Sequence, residues 1–286
     1  MSLAALKKSR MSFEELAKKF ENEKKSTQKD DRFYYPARDD NGNAHAVIRF
    51  LMPPEGEDSP WVKTYSHAFK SDSGRWFIEE CPTTIGKDCV CCSENGKLWN
   101  SGIESDKDIV RQRKRRLQYV ANILVVEDKK NPENEGKVFL FKFGAKIFDM
   151  IKGAMYPEFD DEEPCNVFDF WEGANFNLRI RKVAGQTNYD KSSFGSPAPI
   201  ADSDEKIERI WKQEYSLAEF LSPDRFKSEE ELAKSFARAV GGNVAAPVAE
   251  AKTAPTETAP EPIAAVASSE PTSSAMDFFR KMAEED

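Results

Sequence analysis

The sequence predicts a mainly β body with C-terminal helices, set between a basic arm and a flexible acidic tail. Three observations carry this reading. Short apolar runs with strand periodicity recur between about Phe33 and Asn188, helical spacing with capping boxes takes over after about Ala201, and large apolar side chains almost vanish after Gly242. The 286 residues are 39% hydrophobic, enough to bury a proper core. Forty-two Lys and Arg against 50 Asp and Glu leave a net charge of −8. That balance excludes an overall basic surface for wrapping duplex DNA, so any nucleic-acid site must be a local channel. No run approaches the roughly 18 to 20 apolar residues of a membrane helix, and Lys7 and Lys8 follow Met1 to Leu6 without a secretory core. A cytoplasmic protein is expected.

The first thirty residues carry eight Lys or Arg against five acids, a net charge of +3. Within them Ser12-Phe13-Glu14-Glu15 is a capping-box match, and Phe13, Leu16, Ala17 and Phe20 follow at helical spacing. So short a helix is marginal alone in water, and its apolar stripe needs the body of this chain or another subunit to pack on. Strands are expected at Ala46–Leu51, Trp61–Ser66, Arg75–Glu79, Tyr119–Val126, Val138–Phe143 and Phe176–Val183. The run Phe176–Arg181 alternates cleanly and puts Asn177, Arg179 and Arg181 on one face, where a channel would turn the two arginines toward phosphates. Helices follow from Asp202 to about Leu221 and from Ser228 to Val240, the second opened by the capping box Ser228 to Glu231 and stopped by Gly241-Gly242. Residues 243–275 are rich in Ala, Pro, Ser and Thr and cannot offset the entropy of being ordered. From Asn243 onward eight acids face three bases, a net charge of −5, and Phe278, Phe279 and Met282 near the end are expected to serve as a short docking peptide for partner proteins.

Four of the five cysteines fall within twelve residues, a distribution unlike a disulfide framework. His67, Cys81, Cys89 and Cys92 follow the spacing H-x13-C-x7-C-x2-C. Two cysteines three apart can grip one ion from a tight turn, and a histidine and a third cysteine from neighbouring strands complete a closed tetrahedral site, for which zinc is the expected ion. Cys89 and Cys92 are preferred over Cys91 because i and i+3 is the usual knuckle spacing. The zinc deaminases also use one His and two Cys, but their Glu two residues after the His and their Pro-Cys are replaced here by His67-Ala68-Phe69 and Asp88-Cys89. With two histidines in all and neither G-x-S-x-G nor a Walker-type loop, conventional catalytic machinery is scarce, and no enzyme is expected.

The strongest charge feature is Arg111-Gln112-Arg113-Lys114-Arg115-Arg116, which runs directly into the strand at Tyr119. Five cations in six residues repel one another unless a polyanion is close. Single-strand binders combine such a track with aromatic rings on which bases stack. Aromatics beside basic residues include Trp76, Trp99, Tyr119, Phe141 and Tyr189.

Taken together, a basic arm, a β body with a knuckle and a basic-aromatic track, and an acidic tether resemble the helix-destabilising, single-stranded DNA-binding proteins of T-even-type bacteriophages, the products of gene thirty-two. The resemblance covers about residues 5 to 240. It is carried by Ala46-Val47-Ile48-Arg49-Phe50-Leu51, Ala121-Asn122-Ile123-Leu124-Val125-Val126, Pro132 to Phe139, Trp171-Glu172-Gly173-Ala174-Asn175-Phe176 and Asn188-Tyr189-Asp190. It implies an OB-fold core (a five-stranded barrel) with an inserted zinc subdomain at about 60–100, C-terminal helices and a disordered acidic tail. The domains are then an arm over 1–20, a DNA-binding core over 21–242 and a tail over 243–286. It also implies cooperative coating of single-stranded DNA in the host cytoplasm at replication forks, with the tail recruiting replication, recombination and repair proteins. By position, the zinc ligands fall on His67, Cys81, Cys89 and Cys92, and the DNA-facing rings on Trp99, Tyr119, Phe141 and Tyr189; Val120 and Gln186 stand where the family has rings. The family's basic-plus-hydroxyl motif, tied to protomer contacts, falls on Lys7-Lys8-Ser9-Arg10-Met11-Ser12. Its internal copy, Arg113-Lys114-Arg115-Arg116-Leu117-Gln118, keeps the charge and loses the hydroxyls.

Overall fold

The computed structural model describes residues 30–241, apart from Ser73 and Asp160. The expected arm helix with Lys7, Lys8 and Arg10, and the tail with Phe278, Phe279 and Met282, lie outside the described residues.

Eight strands form a half-barrel sheet: β1 (Ala44–Phe50), β2 (Trp61–Lys70), β3 (Trp76–Glu80), β4 (Arg116–Glu127), β5 (Val138–Phe143), β6 (Ala174–Val183), β7 (Gln186–Asn188) and β8 (Ser193–Pro197). Their order is β3-β2-β4-β1-β6-β7, with β5 pairing β4 and β8 pairing β6. The twelve-residue β4 joins the two parts of the sheet. Its first half, Arg116 to Ala121, pairs with β2, its second half with β1, and Tyr119 to Leu124 pair with β5. Period-two alternation sends Phe176, Leu178 and Ile180 of β6 inward and leaves Arg179 and Arg181 exposed. The main core gathers around the fully buried Phe50, whose ring lies 5.5, 5.8 and 5.9 Å from those of Phe143, Phe168 and Phe176. Aromatic pairs at such distances add to the burial of their area.

Among the described residues, five α-helices accompany the sheet: α1 (Val90–Trp99), α2 (Glu104–Arg113), α3 (Ala145–Met155), α4 (Asp204–Trp211) and α5 (Glu229–Val240). The first three fall where no helix was expected. α2 buries no residue and is held by charge instead. Glu104 and Asp106 occupy its first turn and Arg111 and Arg113 its last, matching the helix dipole, and Glu104–Lys107 and Asp108–Arg111 pair at i,i+3. The helix expected from Asp202 to Leu221 stops after Trp211. Beyond it, distant side chains take the backbone: Asn122 accepts from Tyr215 N and donates to Tyr215 O, and the Glu57 carboxylate accepts from Leu217 N and Ala218 N. Only a 3₁₀ turn, Ala218–Leu221, remains.

α5 forms with its expected capping box, Ser228 to Glu231, and an αL Gly241 at its end. It packs on the β2–β3 hairpin, where Phe69, Phe77, Leu232 and Phe236 form a small core, with the Phe77 and Phe236 rings 5.5 Å apart and nearly perpendicular. Glu79 accepts hydrogen bonds from Lys227 and Ser235 alongside. The C-terminal helix thus closes the subdomain that begins 168 residues earlier, at Trp61. Truncation of Phe236 to Ala should therefore destabilise the hairpin subdomain by about 3 to 5 kcal/mol. In thermal unfolding, loss near Trp76 before loss of the β1–β4–β6 sheet is expected; a single unshifted transition would mean that α5 contributes little.

Candidate metal and nucleic-acid site

His67 on β2, Cys81 at the end of the β3 hairpin, and Cys89 and Cys92 at the start of α1 converge so that their ligand atoms all lie within 4.8 Å of one another. Cys89 is the N-cap of α1, with extended backbone, and Cys92 is on its first turn. The two thiols therefore sit at the positive end of a helix dipole, which favours thiolates. His67 and Cys81 are fully buried.

The distances match a tetrahedral ion. Metal–sulfur bonds of about 2.3 Å and metal–nitrogen bonds of about 2.05 Å put two sulfurs about 3.8 Å apart, and a sulfur and a nitrogen about 3.6 Å apart. Cys81 Sγ and Cys92 Sγ are separated by 3.7 Å, and His67 Nε2 lies 3.5 Å from both Cys89 Sγ and Cys92 Sγ. The cluster fits one metal ion, with Nε2 as the ligating nitrogen. His67 Nδ1 points the other way and donates to the Arg113 carbonyl at 2.9 Å, the contact that fixes a ligating histidine's tautomer. Cys91 Sγ sits on that far side, 3.4 Å from Nδ1, and burial pushes its thiol pKa up, so it remains a neutral thiol outside the ligand set. Among the ligands, hydrogen bonds from Cys89 and Cys92 hold the Cys81 thiol far below the usual thiol range.

The basic run spans the junction of α2 and β4, beside the cluster. Arg111 is bound by Glu104 and Asp108, at 2.9 Å in the first pair, and its guanidinium lies 5.9 Å from the Trp99 ring centre. These acids already satisfy it. Arg113 lies over Phe69, and Arg115 lies over the Tyr65 ring at 4.2 Å while donating to Thr83 Oγ1 at 2.6 Å. Lys114 and Arg116 are exposed, and among the described residues no acid pairs with either. Lys63 also approaches the Tyr65 ring, at 5.4 Å, so one half-buried aromatic carries two cations. Tyr65 and Lys63 escaped sequence reasoning, although i and i+2 in an expected strand is the spacing that puts two side chains on one face.

Residues 42–240 match the family described as "gp32 DNA binding protein like". The chain belongs to this gp32-like family. Over 208 residues it is 39% identical to the single-stranded DNA-binding protein of Enterobacteria phage T2, covering 71% of this chain and 68% of that protein. The single-stranded DNA-binding protein of Enterobacteria phage T4 aligns with the same identity and coverage. Over 67 residues the chain is 39% identical to the single-stranded DNA-binding protein of Escherichia phage SV14, covering 22% of this chain and 58% of that protein. The gp32-like family and these relatives are named for binding DNA, a non-enzymatic function. No helix among the described residues is long and apolar enough to cross a membrane.

The aromatic positions of this gp32-like chain divide in two. Trp99 is 47% exposed and Tyr189 is half-buried, whereas Tyr119 and Phe141 are 7% and 5% exposed and belong to the main core. Tyr119 stacks on Phe148 of α3 with centroids 3.9 Å apart. The two rings are packed by different neighbours: Phe148 of α3, a helix absent from the expected elements, covers Tyr119, and the Phe50 cluster encloses Phe141. Arg179 and Arg181 lie on β6, separated from β4 by β1, with Arg181 Nε donating to Asn188.

The ligand geometry predicts unequal roles for adjacent thiols. Cys89→Ser should lose the bound metal and lower the melting temperature, while Cys91→Ser should keep one ion per chain. Because burial opposes the His67 imidazolium but hydrogen bonds to Cys81, Cys89 and Cys91 raise its pKa to about 12, uptake of an ion must release protons and weaken as pH falls. Metal content measured across pH 5 to 8 checks both points; metal loss in Cys91→Ser would overturn the assignment.

Proposed function

We propose that the protein binds single-stranded DNA cooperatively and largely without regard to sequence, coating and protecting it during phage replication, recombination and repair. The observation that carries this reading is the cationic strip Arg113–Arg116, with Arg115 on the Tyr65 ring, while among the described residues the acid partners of the basic run fall on Arg111, beside Trp99. Flexible single strands suit such a strip, because their phosphates can follow it while bases stack on exposed rings. Trp99 offers an exposed ring and Tyr189 a half-buried one, and Arg179 and Arg181 add a second basic row on β6. Tyr119 and Phe141 support this surface from within the core.

For the cluster we assign a single structural Zn²⁺. Three cysteines and one histidine fill all four positions of a tetrahedral ion, with no open position for a substrate. The arm is assigned to protomer contacts through Lys7, Lys8 and Arg10. A complementary surface exists on the body: Glu158, Glu162 and Glu163 line a groove of about 660 Å³ with Met150 and the two-thirds exposed Phe159. The arm's mixture of basic and apolar residues matches that acid and apolar surface. The tail, through Phe278, Phe279 and Met282, is assigned to the recruitment of replication and recombination proteins, in the host cytoplasm at replication forks.

Titration with poly(dT), followed by tryptophan fluorescence over a salt series, tests the reading. Substituting Arg115 and Arg116 together by Ala should reduce the magnitude of the salt slope by about 1.4, since each phosphate contact on a single strand contributes about 0.7. Arg111→Ala, by contrast, should leave the slope unchanged because its charge is already paired. An unaltered slope in the double variant would assign the strip to a merely solvated surface.

A further inference from the structure

The 3₁₀ turn Pro82–Ile85 lies between the ligand cluster and the cationic strip, and it is bound to Tyr65 from both sides. Cys81 N donates to Tyr65 O at 2.8 Å, and Tyr65 N donates to Thr84 Oγ1 at 2.9 Å. This fixes Thr83 with its hydroxyl between two functional groups. Thr83 Oγ1 lies 3.1 Å from Cys81 Sγ and 2.6 Å from Arg115 Nη1.

The donor inventory gives the Arg115 contact a direction: a guanidinium can only donate, so Thr83 Oγ1 accepts from Arg115. The hydroxyl proton and the second lone pair of Oγ1 remain for Cys81 Sγ, and either atom can donate in that contact. Each contact thereby orders the other: the bond to sulfur aims a lone pair of Oγ1 toward the strip, and Arg115 is held against the Tyr65 face, 4.2 Å from its centre. Arg115 keeps its remaining N–H groups for an incoming phosphate, since one of five donors is used. The strip is also held by its backbone, through His67 Nδ1 and the Arg113 carbonyl at 2.9 Å.

We propose that Thr83 is a positioning residue for single-stranded DNA binding, linking the Cys81 ligand to Arg115 so that the phosphate-binding strip is ordered before DNA arrives. This rests on the reading that Arg115 contacts DNA. Nothing in the sequence marks the position, because Thr83 is one of two adjacent threonines in a turn and its two partners are two and 32 residues away. Preorganisation is the physical gain: a long, flexible guanidinium restrained in advance loses less freedom on binding.

The test uses the full chain and four variants: Thr83→Val, which keeps branching and volume but removes the hydroxyl, Thr83→Ser, Arg115→Ala, and the Thr83→Val/Arg115→Ala double. Zinc content and melting temperature are measured with affinity for a short dT oligomer at low salt. Thr83→Val should retain one zinc per chain yet bind the oligomer about threefold to tenfold more weakly, the loss expected for a hydrogen bond to a charged group. Thr83→Ser should restore the affinity, and the double variant should be no weaker than Arg115→Ala alone. Wild-type affinity in Thr83→Val, additive losses in the double variant, or loss of zinc from Thr83→Val would each overturn the inference. If Arg115→Ala itself binds normally, the DNA-contact reading fails and the proposal falls with it; weak binding by Arg115→Ala with normal binding by Thr83→Val defeats the proposal alone.

Discussion

Three thiols and an imidazole share a space in which every pair of ligand atoms lies within 4.8 Å, and the surrounding structure depends on that convergence. Burying several potential anions so close together is unfavourable unless a cation and good geometry offset the desolvation and repulsion. Apart from the pairing of β2 with β4, the region from Trp61 to Arg113 has a small core: Phe69, Phe77 and Cys91 pack with Leu232, Phe236 and Ala239 of α5, while α2 buries nothing. A divalent ion binding the folded cluster but not the dispersed ligands would stabilise this region directly, so metal affinity and local folding are one free energy here.

From the cluster outward, order passes to the cationic strip through a few bonds. The His67 ring holds the Arg113 carbonyl, and the turn after Cys81 holds Arg115 and Tyr65. β4 then carries the strip from the subdomain into the half-barrel, since its first half pairs with β2 and its second with β1. Charge is distributed with the same economy. Arg111 is spent on α2, while Lys114 and Arg116 remain unpaired by acids among the described residues. A chain with net charge −8 can therefore offer a local site for a polyanion.

Much of this was legible in residue spacing. The alternation of Phe176 to Arg181 placed β6 and its two faces, and the i, i+3 spacing separated Cys89 and Cys92 from Cys91, matching the ligand cluster of the structure. The helices flanking the site were not legible. α1 begins Val90-Cys91-Cys92 and lacks a clear apolar stripe, and α2 is held by ion pairs and dipole matching that a hydrophobic pattern cannot register. The overlong helix after Asp202 failed for a different reason: Glu57 and Asn122, distant in sequence, take the backbone groups that would have continued it. Tyr119 and Phe141 show the same limit. Sequence places both rings beside basic residues but cannot register that Phe148 of α3 stacks on Tyr119 or that the Phe50 cluster encloses Phe141.

The central claim is that the ligand cluster holds the α2–β4 junction in place. Amide hydrogen exchange on the full chain, with bound metal and after its extraction by a chelator, measures this directly. Protection should fall across residues 104–118 and the turn 81–86, while β1, the second half of β4 and β6 retain theirs. Unchanged exchange at the junction after complete extraction would contradict the account, as would a uniform loss across the whole sheet.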